Sequence, residues 1–583
     1  MSAPGTFTPS ASTVSDAERS GVFAAGDLAF AEMVVRRAGI ADPLCATALA
    51  LAAKAVRLDH VCADLSASGI ALLWSSDDGE VPAVAAPSSE ALLGALSGAG
   101  ALVERVAEGA DVDRLGDAPI VLSAHRCYLR RYALLEQFVA DRLGGLEQLK
   151  EPSGLDVVLD AVAVGADVAQ RDAVRRAFTS PVSVIAGGPG TGKTTTVALV
   201  LRVAGALADP LTVALAAPTG KAAARLDEAV RAAMPDTDAG VLPRARTLHR
   251  LLGVGRDGMA HSQLLLDADV IVVDEASMVS LPMLAATLSR ARPDARVILV
   301  GDPDQLASIE VGAVLADVVE AAAAAPRGVV VSTLTTAHRF EDARGVPSLA
   351  TAVRSGSVAE LDAAIAAHPD LDSLTPDGGL DAVVARVTDH AVAQLHAARS
   401  GDADLALSLV ASLGVLCATK RGRGSTAWWN AAIESALVAR GMLRRRDVDY
   451  VGRPLLVTRN DPLTGLANGM IGVVVADGDD RFAVFEIGAF SPQAVAWAET
   501  VWALTIHKSQ GSEYDEVVVS LPGPDSPILT RELVYTAVTR ARRSVTLVAP
   551  DGSLQAALSR RVARSSGLTA RLLRPREAGG HLG

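Results

Sequence analysis

Aromatic residues make up only 3% of this 583-residue chain, whereas half of it is hydrophobic. So few rings exclude a core hung on large anchors and point to helix-rich layers around short Val/Ile strands. Cysteine is nearly missing. Cys45, Cys62, Cys127 and Cys417 stand apart, with no CxxC pair and no histidine at metal-ligand spacing, which excludes a zinc ribbon or a disulfide framework and fits a reducing cytoplasm. No stretch reaches the ~18 uncharged apolar residues that a membrane helix needs, since even the Ala/Val-rich run after Gly312 carries Asp317 and Glu320. No membrane contact is expected. A positive excess is also lacking: the formal charge is -13, which weighs against autonomous gripping of a polyanion and favours work inside a complex. Residues 1–20 lack the basic start and apolar core of a signal peptide and read as a disordered start.

What is present divides along the chain. Residues 21–150 are Ala/Leu-rich with helical spacing, as in YLRRYALLEQFVADRL from Tyr128, and carry no catalytic motif; they read as a mostly helical accessory or docking domain. From Val182 the texture changes to short apolar runs that end in polar or Gly-rich turns: VSVIAGGPG, LTVALAAPTG, DVIVVDEAS, RVILVGDPDQ and VVVSTLTT. Such runs alternating with helices predict an α/β domain over 151–345, a parallel sheet buried on both faces with ligands beyond the strands' carboxyl ends. A second series, LGVLCATK, VWALTIHKSQG, DEVVVSL and RSVTLVAP, predicts a second α/β domain over 346–444 and 499–583. Between them PLLVTRN, MIGVVVADGDD and RFAVFEI predict a small antiparallel β insert at 445–498. The basic RRVARSSGLTARLLRPR near the end reads as a solvated helix or a contact surface.

The clearest chemistry lies in GGPGTGKT: Gly187, Gly188, Pro189, Gly190, Thr191, Gly192, Lys193 and Thr194, with Thr195 next in the helix behind. Glycines let the loop curl its amides inward, and the helix N-terminus adds a positive end for phosphate. Lys193 then reaches the β and γ phosphates of ATP, and the Thr194 hydroxyl can ligand Mg²⁺. Asp274 and Glu275, just past the run IVV, suit a second Mg²⁺ ligand and a base for water. Gln305 in GDPDQL suits a γ-phosphate sensor, while Arg339 in AHRF and Arg540 in YTAVTRARRS are candidate charges for the phosphoryl transition state.

Taken in order, GGPGTGKT, APTGKAAARL, TLHRLLG, VVDEASM, GDPDQL, HRF, TIHKSQGSE and ELVYTAVTRAR resemble the superfamily 1 helicases. Within them the chain resembles the RecD type, the family of the alpha subunit of exodeoxyribonuclease V (RecBCD), over about residues 165–572. The resemblance implies two RecA-like P-loop NTPase motor domains with ATP and Mg²⁺ between them, single-stranded DNA across their tops, 5′ to 3′ movement, and an SH3-like insert. It implies that Gln170 contacts adenine, that Arg339 and Arg540 close on the γ-phosphate, and that Thr219, Thr247, His249, Thr505, His507 and Ser509 line the DNA track; in the same polar stretch Gln510 is read as DNA-facing and Glu513 as reaching the ribose. It also implies partners: duplex-end DNA and RecB-like and RecC-like subunits, with any nuclease on another subunit. Thr505, His507 and Ser509 are expected to alternate along an extended backbone, with Gln510 coupling nucleotide to DNA. Trp428, Trp429, Trp502 and Tyr514 are the aromatic candidates for base stacking. A free-standing helicase and a nucleotide-gated, non-translocating interaction module remain as alternative readings.

Overall fold

The computed structural model describes residues 21–75, 84–100, 102–107, 117–234, 242–254, 264–307, 310–325, 328–336, 344–444, 449–461, 463–562 and 564–574. Arg339, one of the candidate arginines, and the expected disordered start at 1–20 lie outside the described residues.

The runs VSVIAG and RVILVG are buried at every position, which a strand tolerates only when both faces of its sheet are covered. They are β5 (Val182–Gly187) and β9 (Arg296–Gly301), neighbours in a six-stranded, all-parallel sheet with β6 (Val213–Ala217), β7 (Arg246–Thr247), β8 (Val270–Val273) and β10 (Val330–Leu334). The order is β10-β5-β9-β8-β6-β7. Because all six run the same way, the segments after β5, β6, β7, β8 and β9 emerge along one edge. That edge receives the phosphate loop, Thr219, Thr247, Asp274 and Gln305. This sheet and its helices form the first body.

The second body has a five-stranded parallel sheet, β11-β20-β19-β12-β18, built from β11 (Leu371–Leu374), β12 (Leu413–Cys417), β18 (Leu504–Thr505), β19 (Tyr514–Ser520) and β20 (Ala541–Val548). β18 pairs with the carboxyl end of β12, Leu416 and Cys417, whereas β19 begins beside Leu413. Residues 506–513 therefore run from one end of the sheet back to the other, at least the ~13 Å spanned by the five residues of β12.

Between β12 and β18 the chain forms an antiparallel sheet of order β16-β15-β14-β13-β17: β13 (Pro454–Leu456), β14 (Ile471–Asp477), β15 (Asp480–Phe485), β16 (Gly488–Phe490) and β17 (Glu499–Thr500). One face of β14 joins the insert's own core with Leu455 and Phe485; the other packs Val473 and Val475 against Ala397, Ala398 and Ala406 of the second body.

Beside its helices the N-terminal body holds a small mixed sheet that was not expected, β1-β4-β3-β2, of β1 (Ala63–Asp64), β2 (Val103–Val106), β3 (Ile120–Ser123) and β4 (Arg126–Leu129). Tyr128 and Leu129, which open the helical YLRRYALLE pattern, belong to β4; helix α1 starts only at Arg130 (Arg130–Gly144). Strands of two to four residues are too short to show a period of two. The boundary expected at 150 does not separate two cores, because Ala133, Val139, Ala140 and Leu143 of α1 share one cluster with Ile271, Leu284 and Leu299 of the first body. The chain end departs from its expected place in the second α/β domain. The last helix among the described residues, Leu568–Leu573, packs on α1 and on helix Val314–Ala324 of the first body. The buried Glu136 carboxylate holds this segment, accepting from Gly567 N at 2.9 Å, Ser566 Oγ at 3.2 Å and Arg571 Nε at 2.9 Å.

Candidate functional site

The phosphate loop bends where its glycines allow. Gly190 and Gly192 take φ of 74° and 81°, and a Cβ on Gly187 would lie 2.5 Å from Thr191 Oγ1. Helix α2 (Lys193–Ala206) starts directly behind with no side-chain cap, so its first amides face the cleft. Lys193 Nζ donates to Gly187 O at 2.7 Å and Gly188 O at 2.9 Å, which holds the ammonium over the loop.

Across from Lys193, β8 delivers Asp274 and Glu275. Glu275 sits at φ 50° and ψ 41°, a left-handed backbone that costs about 1 kcal/mol or more in a non-glycine residue. Desolvation, then Glu275, raises the Asp274 carboxyl to about 6. A half-buried, desolvated carboxylate beside a second acid, in a cleft that Thr194 also lines, is a donor set that suits a divalent cation.

The second body closes this cleft. Arg540, buried, donates from Nη2 to Gln305 Oε1 at 2.9 Å, from Nη1 to Ser512 O at 3.3 Å and from Nε to Thr536 O at 3.1 Å. Gln305 Nε2 donates to Asp302 Oδ2 at 3.1 Å, which also accepts from Tyr535 OH at 3.1 Å. Leu306 N donates to Thr536 Oγ1 at 2.8 Å, and Gln510 Nε2 to Leu306 O at 2.9 Å. A cleft of about 290 Å³ lies between the bodies, lined by Lys193, Thr194, Thr195, Asp274, Glu275, Gln305 and Arg540, together with Glu513 and Arg225. Glu513 is ion-paired to Arg225 and accepts from Arg542 Nε at 3.3 Å.

Other expected residues fall elsewhere. Gln170 is buried as the third residue of helix Val168–Thr179, its Oε1 accepting from Asp167 N at 3.1 Å, and it does not line the cleft. Thr219 and Thr247 are half-buried at the ends of β6 and β7, where each caps a helix, accepting from Ala222 N at 3.2 Å and Arg250 N at 3.3 Å. His249, two residues after Thr247, is half-buried.

The segment 505–510 is not the extended, alternating track that was expected. Residues 507–509 form a 3₁₀ turn, so Ser509 rotates inward, fully buried, and its hydroxyl donates to Ile506 O at 2.7 Å. Thr505 and Gln510 are also buried. His507 is half-buried, and desolvation, aided by Arg564 and Lys420, holds its imidazole below the ordinary value. Among the aromatic candidates, Trp429, Trp502 and Tyr514 are core residues; Trp428 is half-buried, edge-on to Trp429 with ring centres 5.3 Å apart. Arg225, Lys221 and Ser512 were not assigned roles from the sequence. The first two share a helix face in APTGKAAARL at i and i+4, the local signal that could have marked them as a pair.

Comparison with known proteins supplies the family. Residues 165–375 match the model of an AAA domain and residues 500–548 that of the UvrD-like helicase C-terminal domain. Residues 19–128 match the N-terminal domain of RecBCD enzyme subunit RecD. RecBCD enzyme subunit RecD of Mycolicibacterium smegmatis is 40% identical over 544 residues, covering 90% of this chain and 93% of that one. The chain belongs to the RecD family. RecD of Mycobacterium tuberculosis strain H37Rv is 39% identical over 574 residues, covering 95% of this chain and 96% of its own. The ATP-dependent RecD2 DNA helicase of Deinococcus radiodurans is 31% identical over 394 residues, 67% of this chain and 50% of that protein. The RecD N-terminal match lies outside the spans of the AAA and UvrD-like matches.

Proposed function

We propose that this chain is the ATP-dependent DNA helicase subunit of a RecBCD-type helicase-nuclease, moving 5′ to 3′ on single-stranded DNA from a duplex end and acting in recombination and repair with RecB-like and RecC-like partners. The observation that carries the reading is the bridge from Arg540 in the second body to Gln305 in the first, beside Lys193 and Glu275. In this reading Lys193 exchanges its glycine carbonyls for the β and γ phosphates of ATP. Thr194 and Asp274 would hold Mg²⁺, which when bound offsets phosphate charge. Glu275 orients and deprotonates the attacking water, aimed by its left-handed backbone. Arg540, fixed by three acceptors before any charge develops, stabilises the departing phosphoryl group. Gln305 senses that group and passes its loss to the second body through Arg540, Leu306 and Gln510.

The DNA track in this reading crosses Thr219, Thr247 and His249 on the first body and the His507 region on the second. The antiparallel insert is the SH3-like element, and the N-terminal body is the docking domain. Ser509, Gln510 and Gln170 are withdrawn from ligand contact and act as internal supports. The test has two arms. Co-expression with RecB-like and RecC-like subunits should give a stable complex, and streptavidin blocks on either end of a single strand should stall it only when placed at the 3′ end. Robust unwinding by the isolated chain, or stalling at the 5′ end, would contradict the reading.

A further inference from the structure

Helix α3 (Gly220–Ala233) is capped by Thr219, so the residue assigned above to the DNA track fixes the start of a helix whose next turn faces the second body. Lys221 lies on that turn. Its Nζ donates to Ser512 Oγ at 2.7 Å. The backbone carbonyl of the same Ser512 accepts from Arg540 Nη1 at 3.3 Å. One serine thus carries Lys221 on its side chain and the cleft arginine on its main chain. Gly511, at φ 73°, makes the turn that presents Ser512 to both.

The insert meets the same point. A Cβ on Gly220 would lie 2.5 Å from the Cβ of Ala467, and one on Gly469 would lie 3.9 Å from Lys221 Cδ. The ammonium is desolvated there, which lowers its pKa to about 8; Glu486 of the insert favours the charge, and Arg225 on the same helix opposes it. Glu513 of the second body, next to Ser512, is occupied by Arg225 and Arg542. Lys221 itself does not line the 290 Å³ cleft.

We propose that Lys221 is a positioning residue that carries the state of the DNA track at Thr219 through Ser512 to Arg540, so that bound strand sets the hydrolysis rate. The proposal rests on the reading of Arg540 and Thr219 given above. A strand that draws the start of α3 toward it shifts Lys221, Ser512 follows the hydrogen bond, and the Ser512 carbonyl turns Arg540 toward the phosphoryl group. Without the ammonium, the two ends of the relay move independently.

The experiment uses the full chain and oligo-dT, with Lys221→Met and Ser512→Ala as separate variants. Both should keep DNA-free ATP turnover within about twofold, lose about fivefold or more of the DNA-stimulated kcat, and keep the half-saturating DNA concentration. Wild-type stimulation should fall as pH rises through about 8, where the ammonium discharges, and Lys221→Met should flatten that profile. Full stimulation in both variants would overturn the proposal. So would a several-fold rise in half-saturating DNA with unchanged maximal rate, which would make Lys221 a strand contact. Loss of DNA-free turnover in both would overturn it too, by placing the pair in the hydrolysis site. Arg540→Ala run in parallel separates the layers: normal turnover there would sink the reading of the cleft, whatever Lys221 does.

Discussion

Gln305 and Arg540, 235 positions apart in sequence, meet through a 2.9 Å hydrogen bond, and both side chains are buried. Gln305 also ties back to Asp302, so its amide cannot leave Arg540 without disturbing the first body. Gln305→Ala should therefore retain nucleotide affinity within a few-fold, lower the DNA-stimulated kcat by about tenfold to a hundredfold, and raise the ATP consumed per nucleotide moved. Paired ATPase and translocation assays read this. A kcat within twofold of wild type would remove Gln305 from the relay.

Ser509 separates a structural from a DNA-facing role. With its hydroxyl buried against Ile506 O, Ser509→Ala should cost about 1 kcal/mol of stability and leave DNA affinity within about twofold. Fluorescence anisotropy with labelled oligo-dT checks it. A tenfold loss of affinity without a lowered melting temperature would return Ser509 to the track.

Asp317 gives a pH-dependent stability prediction. Burial, partly relieved by the Ser566 hydroxyl and reinforced by Glu136 and Glu320, raises its carboxyl from 3.8 to about 7. A folded-state pKa above the unfolded value makes the ionised group a liability, absent below about pH 4 and full above about pH 7. Asp317→Asn should thus raise the melting temperature at pH 8 by about 1 °C per kcal/mol relieved, as expected for a 583-residue chain, and change it little at pH 4. A larger gain at pH 4 than at pH 8 would reverse the assignment.

Glu136 and Arg571 pair at 2.9 Å with side chains 0% and 3% exposed, which ties the chain end to the N-terminal body. Removing one partner strands the other charge, so Glu136→Ala should destabilise by about 3–5 kcal/mol. The double variant Glu136→Gln with Arg571→Met should recover much of that. Thermal melts and limited proteolysis near residue 564 report both; protection of that segment in Glu136→Ala would show that the tie lies elsewhere.

How far all this could be read from the sequence depended on the range of the forces involved. Runs such as VSVIAG and RVILVG announce strands covered on both faces, and the glycines of GGPGTGKT announce a phosphate loop, because each signal is local. The mixed N-terminal sheet was not legible. Its strands have two to four residues, and the helical spacing of YLRRYALLE ran on into Tyr128 and Leu129. The inward turn of Ser509 depends on a 3₁₀ geometry that alternating polar residues imitate. The return of Leu568–Leu573 to α1 rests on Glu136, more than 400 positions away, for which a basic, amphipathic tail gives no sign. Lys221 and Arg225 went unassigned, because their i, i+4 spacing in APTGKAAARL does not tell which partner that helix face meets.

Under the proposed function, hydrolysis requires both bodies, with Arg540 of the second completing the site around Lys193 and Glu275 of the first. Rapid-quench measurement of ATP cleavage by Arg540→Ala at saturating oligo-dT tests it most directly. Nucleotide binding should stay within a few-fold of wild type while the cleavage rate falls by about 10³-fold or more. Cleavage at the wild-type rate, with binding intact, would contradict it.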